Sequence, residues 1–492
     1  MATKNFLAID LGAESGRAVV GSFDGEHLTL REVHRFPNLP VRVAGHLHWD
    51  ALKLFDEIQH ALEAAAKQFG EIASIGVDTW GVDFALLDAS GALIGNPVHY
   101  RDHRTDGMMA QAFQRVPRER IFESTGIQFM QLNTLYQLFA MAQANAPALR
   151  IADTLLLMPD LFDYWLTGEK VSEFTIATTT QFYDPRAGDW ARPLLDELGI
   201  PHAFLPRIVP SSTDLGALLP HLARETGLTG TRVIAPACHD TGSAVAAVPA
   251  RVPNYAYISS GTWSLMGVEV RKPIIDARSL RFNFTNEGGA AGTFQLLKNL
   301  TGLWLVQGCR RAWAREGNEV TYDELMTLAK NAPRFAAFVD PDHTLFLNPD
   351  DMPIAIAQYC RETGQKPPAD RGATIRCVLE SLALKYHHTL DQLETLLAEQ
   401  IQVIHIVGGG SQNQLLCQFA ADACARPVLA GPIEATALGN ILSQMLAQKI
   451  FASLEEARSV GRASFPLTSY EPRNTSAWVE AYAQFSKRVE PV

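Results

Sequence analysis

Apolar and polar positions change their period along the chain, and the changes mark its elements. Phe6-Leu7-Ala8-Ile9 is a short apolar run ending at Asp10, and Ala18 to Phe23 is a second, closed by the turn pair Asp24-Gly25. His27 to Val33 alternates as a half-buried strand does. From Leu52 to Phe69 the period lengthens. Leu54, Phe55, Ile58, Leu62 and Ala65 share one helical face, Asp50 caps the start and Gly70 stops the end. Ile72 to Asp78 returns to a buried strand.

Further along, the same signals predict helices over 121–138 and 155–168, with Met158-Pro159-Asp160 as a helix start. Val233-Ile234-Ala235 reads as a strand leading into a small-residue helix with Asp240 at its N-cap. Tyr257 to Gly267 reads as strand, tight polar turn and strand, with unpaired N–H groups expected in the turn. Thr285 to Gly289 reads as a turn, and 297–307 as entering a helix. Asp370 to Glu399 reads as a long amphipathic helix. Val403 to Val407 is a buried strand running into Gly408-Gly409-Gly410 and a helix from Gln414. A last helix is expected over 476–489, packing back on the first domain.

The order β-β-β-α-β over the first eighty residues or so is that of the ribonuclease-H-like half of an actin-type ATPase domain. The Gly-rich turn at Leu11 to Arg17 lies between two strands, as does the turn at Ser259 to Thr262, so the arrangement occurs twice. Taken singly, each is an ordinary hairpin and Asp240 an ordinary cap. The duplication points to an α/β chain of two ribonuclease-H-like (actin/hexokinase-type ATPase) domains, 1–248 and 249–492, divided at the Pro249 to Pro253 break. A nucleotide would lie in the interdomain cleft. Three consecutive glycines at Gly408 to Gly410 offer a flat wall to an adenine ring. Asp78-Thr79-Trp80-Gly81-Val82-Asp83 sets an aromatic among carboxylates, which suits a sugar, although Trp80 reads equally as a core aromatic. Tyr100 to Thr105 is a dense polar stretch whose default is a solvated loop.

Composition narrows the function classes. At 492 residues the chain exceeds a single core, and two large domains fit. A net charge of −11 argues against nucleic acid or an anionic membrane as partner. Phosphate must then be held by backbone donors, Arg17, Lys298 and a bound cation. No stretch is apolar enough to span a bilayer, and Met1 to Asn5 leads straight into a strand, which predicts a cytoplasmic protein. The six cysteines show no CxxC spacing, so no zinc or redox motif is expected. Cys360 and Cys377 would pair only if the fold and an oxidising compartment allowed it.

The segments DLGAESGR at Asp10 to Arg17, HDTGSAV at His239 to Val245, SSGTWSLMG at Ser259 to Gly267 and IVGGGSQN at Ile406 to Asn413 together resemble the FGGY family of carbohydrate kinases. DTWGVDFALLD, YRDHRT, Asn133 to Leu138, LMPD, TNEGG and LKNLTGLWLVQ are similar to those members that phosphorylate L-rhamnulose. The match covers nearly the whole chain. The resemblance implies ATP-dependent phosphorylation of this ketose at O1, giving L-rhamnulose 1-phosphate and ADP in rhamnose catabolism, with ATP and Mg2+ as cofactors. It implies Asp240 as general base. Gly81, His239, Asp240, Thr241 and Asn299 would bind sugar. Ala13, Glu14, Ser15, Gly16, Arg17, Thr262, Gln307 and Gly409 would bind nucleotide, and Asp10 would lie near the metal. Glu14 departs from the pattern by adding negative charge beside the phosphates. Two alternatives remain: a kinase for another ketose such as L-fuculose or L-xylulose, and a nucleotide-responsive sugar-binding protein without chemistry.

Overall fold

The computed structural model describes residues 3–488. These form two compact units that interleave along the chain. The first comprises Met1–Pro249, Glu269–Leu296 and Ala435–Phe465; the second comprises Ala250–Val268, Leu297–Glu434 and Pro466–Val492. The expected break at Pro249 is therefore the first of several crossings, and two later segments return to the first unit.

The first unit is built on a six-stranded sheet in the order Thr213–Ala217, Arg232–Ala235, Ser74–Thr79, Lys4–Leu11, Ser15–Phe23, Leu28–Pro37. Lys4–Leu11 and Arg232–Ala235 both run parallel to Ser74–Thr79, and the remaining pairs are antiparallel. Successive side chains of a strand face opposite sides. Ile75 and Val77 accordingly join the apolar core of Leu54, Ile58 and Leu62 on helix Ala51–Phe69. Ser74, Gly76 and Asp78 face helix Ala435–Ala447 instead. Ser74 Oγ donates to Gln444 Oε1 at 2.7 Å, and Asn440 Nδ2 donates to Gly76 O at 3.1 Å and Asp78 Oδ2 at 2.6 Å. A Cβ on Gly76 would sit 2.4 Å from Asn440 Oδ1, so the close approach requires glycine there.

Helix Ala51–Phe69 forms as its spacing predicts, with the Asp50 carboxylate accepting from Lys53 N. The stretch 121–138 is not one helix. It breaks into Arg118–Thr125 and Thr134–Gln143 because Gly126, at φ 67°, ends the first in the left-handed conformation. Residues 154–157 form a strand, and the next helix starts at Met158 with Pro159 in its first turn.

A second, seven-stranded sheet runs Thr285–Gly288, Phe294–Thr301, Trp263–Val270, Tyr255–Ser260, Val403–Val407, Val428–Ala430, Thr468–Tyr470. The hairpin of Tyr255–Ser260 and Trp263–Val270 with parallel Val403–Val407 repeats the pattern of Lys4–Leu11, Ser15–Phe23 and parallel Ser74–Thr79. Helix Arg371–Leu397, capped by Asp370, is buried nearly all round from Gly372 to Tyr386 rather than amphipathic. The stretch 297–301 finishes a strand, so Lys298 and Asn299 lie on sheet and the helix begins only at Trp304. The final helix, Thr475–Phe485, stays with the second unit. Trp478 packs edge-on against Phe335 at 4.9 Å, and Tyr482 stacks on His387 at 4.1 Å. The predicted end at residue 489 lies outside the described residues. All six cysteines are buried free thiols, Cys360 and Cys377 among them.

Candidate active site

Parallel strands place their carboxyl ends together, and in the first unit those ends collect carboxylates. Asp10 stands opposite Asp78 in the parallel pair and opposite Arg17 in the antiparallel one. Arg17 Nε and Nη2 donate to Asp10 Oδ2 at 2.8 and 2.7 Å. The guanidinium expected for phosphate is thus already directed at a carboxylate, a strong charge-assisted pair. Asp78 is buried; one oxygen takes the Asn440 amide and the other, Oδ1, has no hydrogen-bond partner. Burial and the neighbouring Asp10 charge push its carboxyl well above the usual range.

After strand Arg232–Ala235 the chain continues beside Thr79, whose N–H donates to Cys238 O at 2.9 Å, and Thr79 pairs with His239. This continuation sets Asp240 near Asp10 and Asp78, with both of which it interacts electrostatically. The N-cap position belongs to His239. Asp240 opens the helix Asp240–Ala246 from its first turn, where a carboxylate still suits the positive end of the peptide dipoles. Burial and Asp10 raise its pKa, while His239 and the Thr241 hydrogen bonds oppose the rise. Asp240 Oδ1 lies 3.4 Å from His239 Nε2.

Two further residues hold this corner. Glu173 Oε2 accepts from Thr175 N, Thr175 Oγ1, Ile176 N and Cys238 N at 2.8, 2.5, 3.2 and 3.1 Å, and Thr175 Oγ1 in turn accepts from His239 N at 3.0 Å. Burial pushes Glu173 up to about 7. Glu287 Oε2 lies 3.2 Å from His239 Nδ1. It comes from Thr285–Gly288, a buried strand where the sequence predicts a turn. Glu173 carries no local signal; Glu287 falls within TNEGG, but its contact with His239, 48 residues away in the chain, is not readable there.

Gly81 follows Trp80 in a tightly pinned turn. Val82 sits at φ 68°, a strained conformation for a β-branched residue; its N–H donates to Thr179 Oγ1 at 3.1 Å and its carbonyl accepts from Thr134 Oγ1 at 2.6 Å. Trp80 is buried against Trp49, with ring centroids 4.1 Å apart, so it is a core aromatic and not an open platform. Asp83 is the anchor beneath. Oδ2 accepts from Trp49 Nε1, Trp80 Nε1 and Tyr100 N, Oδ1 from Gln137 Nε2, and burial pushes the carboxyl up to about 6. Within the first turn, Gly12 N donates to Ser15 O and Asn38 N to Glu14 O. Ala13 and Ser15 are half-buried, Glu14 is exposed and Gly16 is buried. Gly16 packs so closely that a Cβ would meet the Phe36 ring at 2.3 Å.

In the second unit, Gly261, Gln307, Gly409 and Gly410 line a cavity of about 1010 Å³, together with Tyr322, Asn413 and Arg473. Asn413 Nδ2 donates to Tyr322 Oη at 2.7 Å. The three glycines have different reasons. Gly408 takes φ 82°, a Cβ on Gly410 would lie 2.0 Å from Ser260 Oγ, and a Cβ on Gly409 would meet nothing within 4 Å. Only Gly409 leaves open wall. Gln307 Oε1 is buried without a hydrogen-bond partner. In the hairpin turn the Gly261 N–H is not free as expected but donates to Trp263 O at 2.8 Å, while Thr262 O accepts from Gly302 N and Trp304 N. Lys298 is buried and donates to Gln392 Oε1 at 3.3 Å. Burial and the charge of Lys385 lower its pKa to about 8, so it is no exposed phosphate ligand. Asn299 shares this strand and lies outside the cavity lining. Gly409→Val is expected to raise the KM for a nucleotide about tenfold, roughly 1.4 kcal/mol of binding, with the thermal midpoint unchanged; steady-state kinetics with a melting curve checks both.

Comparison with known proteins matches both halves of the chain to one family. Residues 5–247 match the N-terminal domain, and residues 256–448 the C-terminal domain, of the FGGY family of carbohydrate kinases. A rhamnulokinase of Bacteroides thetaiotaomicron is 44% identical over 486 residues, covering 99% of each chain. One from Pectobacterium carotovorum is 42% identical over 493 residues, covering 100% of this chain and 98% of that relative. Among solved structures, a gluconate kinase from Lactobacillus acidophilus superposes with a TM-score of 0.81 at 16% identity, covering 99% of this chain and 97% of the other. A Plasmodium falciparum glycerol kinase with ADP gives 0.79 at 16% identity, covering 99% and 98%. At such identity these two establish the fold.

Proposed function

The chain belongs to the FGGY family of carbohydrate kinases, and from that premise we propose that it phosphorylates L-rhamnulose at O1, giving L-rhamnulose 1-phosphate and ADP, with Asp240 as general base. The observation behind the assignment is the corner where Asp240, half-buried, stands beside His239 and within electrostatic reach of Asp10 and Asp78. Asp240 accepts the O1 proton as that oxygen attacks the γ-phosphorus. Gly81, His239 and Thr241 orient the ketose. Ala13 to Arg17 border the phosphates, with Arg17 acting through Asp10.

ATP supplies the phosphoryl group, and Mg2+ neutralises its phosphate tail. The residues fit both. A hard cation takes oxygen donors, and Asp10 and the unpartnered Asp78 Oδ1 provide them. A planar base needs a wall without side chains and a polar group to fix it, and Gly409 with Gln307 Oε1 provides those. The test is a coupled ADP-release screen over L-rhamnulose, L-fuculose and L-xylulose. L-Rhamnulose is expected to give the highest kcat/KM, with measurable cross-reaction, since a methyl group discriminates by only about 1–3 kcal/mol. Preference for another ketose would move the substrate assignment while leaving the kinase in place.

A further inference from the structure

The His239 imidazole lies between two carboxylates: Asp240 Oδ1 is 3.4 Å from Nε2, and Glu287 Oε2 is 3.2 Å from Nδ1. His239 Nδ1 and Glu287 Oε2 are both buried and neither makes a hydrogen bond, so the 3.2 Å ion-pair contact between them is what compensates each. We propose that Glu287 is a positioning residue for phosphoryl transfer, fixing the His239 ring through Nδ1 so that Nε2 faces Asp240. The inference rests on the reading of Asp240 as the base.

The strand that bears Glu287 is fixed on both sides. Asn286 Nδ2 donates to Gly126 O and Ile274 O at 3.0 and 3.1 Å, and its Oδ1 accepts from Ile274 N at 2.7 Å. Gly288 N donates to Thr178 Oγ1 at 2.7 Å, and a Cβ there would strike the Phe174 ring at 2.7 Å. Glu287 is therefore held by its neighbours as firmly as His239 is held by Thr175. An imidazole anchored at one nitrogen has a defined tautomer and ring orientation at the other. The charged groups facing the ring are Glu287, Asp240 and Glu173. Burial alone would lower the His239 pKa. The Glu287 carboxylate at 3.2 Å, with the charges of Asp240 and Glu173, outweighs burial and raises it. Positive charge on this ring would favour the ionised carboxylate that a base must be, against the opposing charge of Asp10. Glu287 lies beyond the Pro249 break, in a segment that returns to the first unit, which explains why a boundary drawn from sequence leaves it out.

Glu287→Ala is expected to lower kcat/KM for the ketose by about tenfold to hundredfold, less than the 10²–10⁴ of a general base itself. Rates are taken per folded enzyme, with the folded fraction read from a melting curve, and the KM for ATP should stay within about twofold. In a His239→Asn background the same change should have no further effect, because the two residues act as one unit. Glu287→Gln keeps an acceptor for Nδ1–H without the charge. It should lose about threefold to tenfold, and it serves for the same cycle if the alanine chain does not fold. An unchanged kcat/KM, losses that multiply in the double variant, or a parallel rise in the KM for ATP would each overturn the proposal. Asp240→Asn with full activity would instead remove the base assignment, whatever the outcome of the Glu287 cycle.

Discussion

Asp240→Asn is expected to lower kcat by about 10²–10⁴-fold, the usual worth of a general base in proton transfer. The amide keeps the size of the side chain and a contact to His239 Nε2, but it cannot take a proton at neutral pH. Thermal stability should hold or rise slightly, because the native Asp240 carboxyl is raised by burial and by Asp10, and a neutral group escapes that penalty. Binding of the ketose should survive, since Gly81, His239 and Thr241 remain. Coupled ADP release with a parallel melting curve separates the two effects. Undiminished turnover in this variant would remove the proposed mechanism.

The second large effect is structural and lies one helix away. Gly439 on Ala435–Ala447 faces Asp240–Ala246 so closely that a Cβ would come 1.8 Å from Ser243 O and 2.7 Å from Ser243 C. These are backbone atoms, which cannot swing aside as the end of a side chain would. Gly439→Ala is therefore expected to destabilise the first unit by about 1–3 kcal/mol or more, the cost of overpacking a dense interior. Turnover should fall with it, because the displaced helix carries Asp240. Gly409→Ala is the matched control: a Cβ there meets nothing within 4 Å, and its melting curve should superpose on that of the parent.

Much of this was legible in the residues, for physical reasons. Short apolar runs bounded by Gly and Asp give the two hairpins, and the Leu54, Ile58 and Leu62 spacing gives the first long helix. Pro159 marks a helix start because its missing N–H costs nothing there. Thr285–Gly288 was not legible. Its residues are polar or glycine, all buried, and its stability comes from Asn286 and Gly288 meeting segments more than a hundred residues away, near Gly126 and Thr178. Phe294–Thr301 misled because its leucines at 296, 297 and 300 fit a helical period as well as a buried strand. The return of Ala435–Phe465 to the first unit rests on the fit of Gly439 to Ser243 and of Asn440 to Asp78, contacts between positions that no local pattern links.

The site divides in the same way. Asp10, His239 and Asp240 declared themselves through their motifs, and the register of the strands brings them together. Arg17 and Lys298 read from sequence as phosphate ligands; in the fold Arg17 donates to Asp10 and Lys298 is buried beside Gln392, contacts that no local pattern announces. Glu173 emerges only in three dimensions, and so does the contact of Glu287, whose motif is legible but whose partner is not; the two lie against Cys238 and His239, which lead into Asp240.

The most direct measurement is the position of L-rhamnulose in a structure of this chain with the sugar bound. The O1 hydroxyl is expected at hydrogen-bond distance, about 2.6–3.2 Å, from an Asp240 carboxylate oxygen. A ketose bound with O1 turned away from residue 240, toward any other carboxylate, would contradict the account.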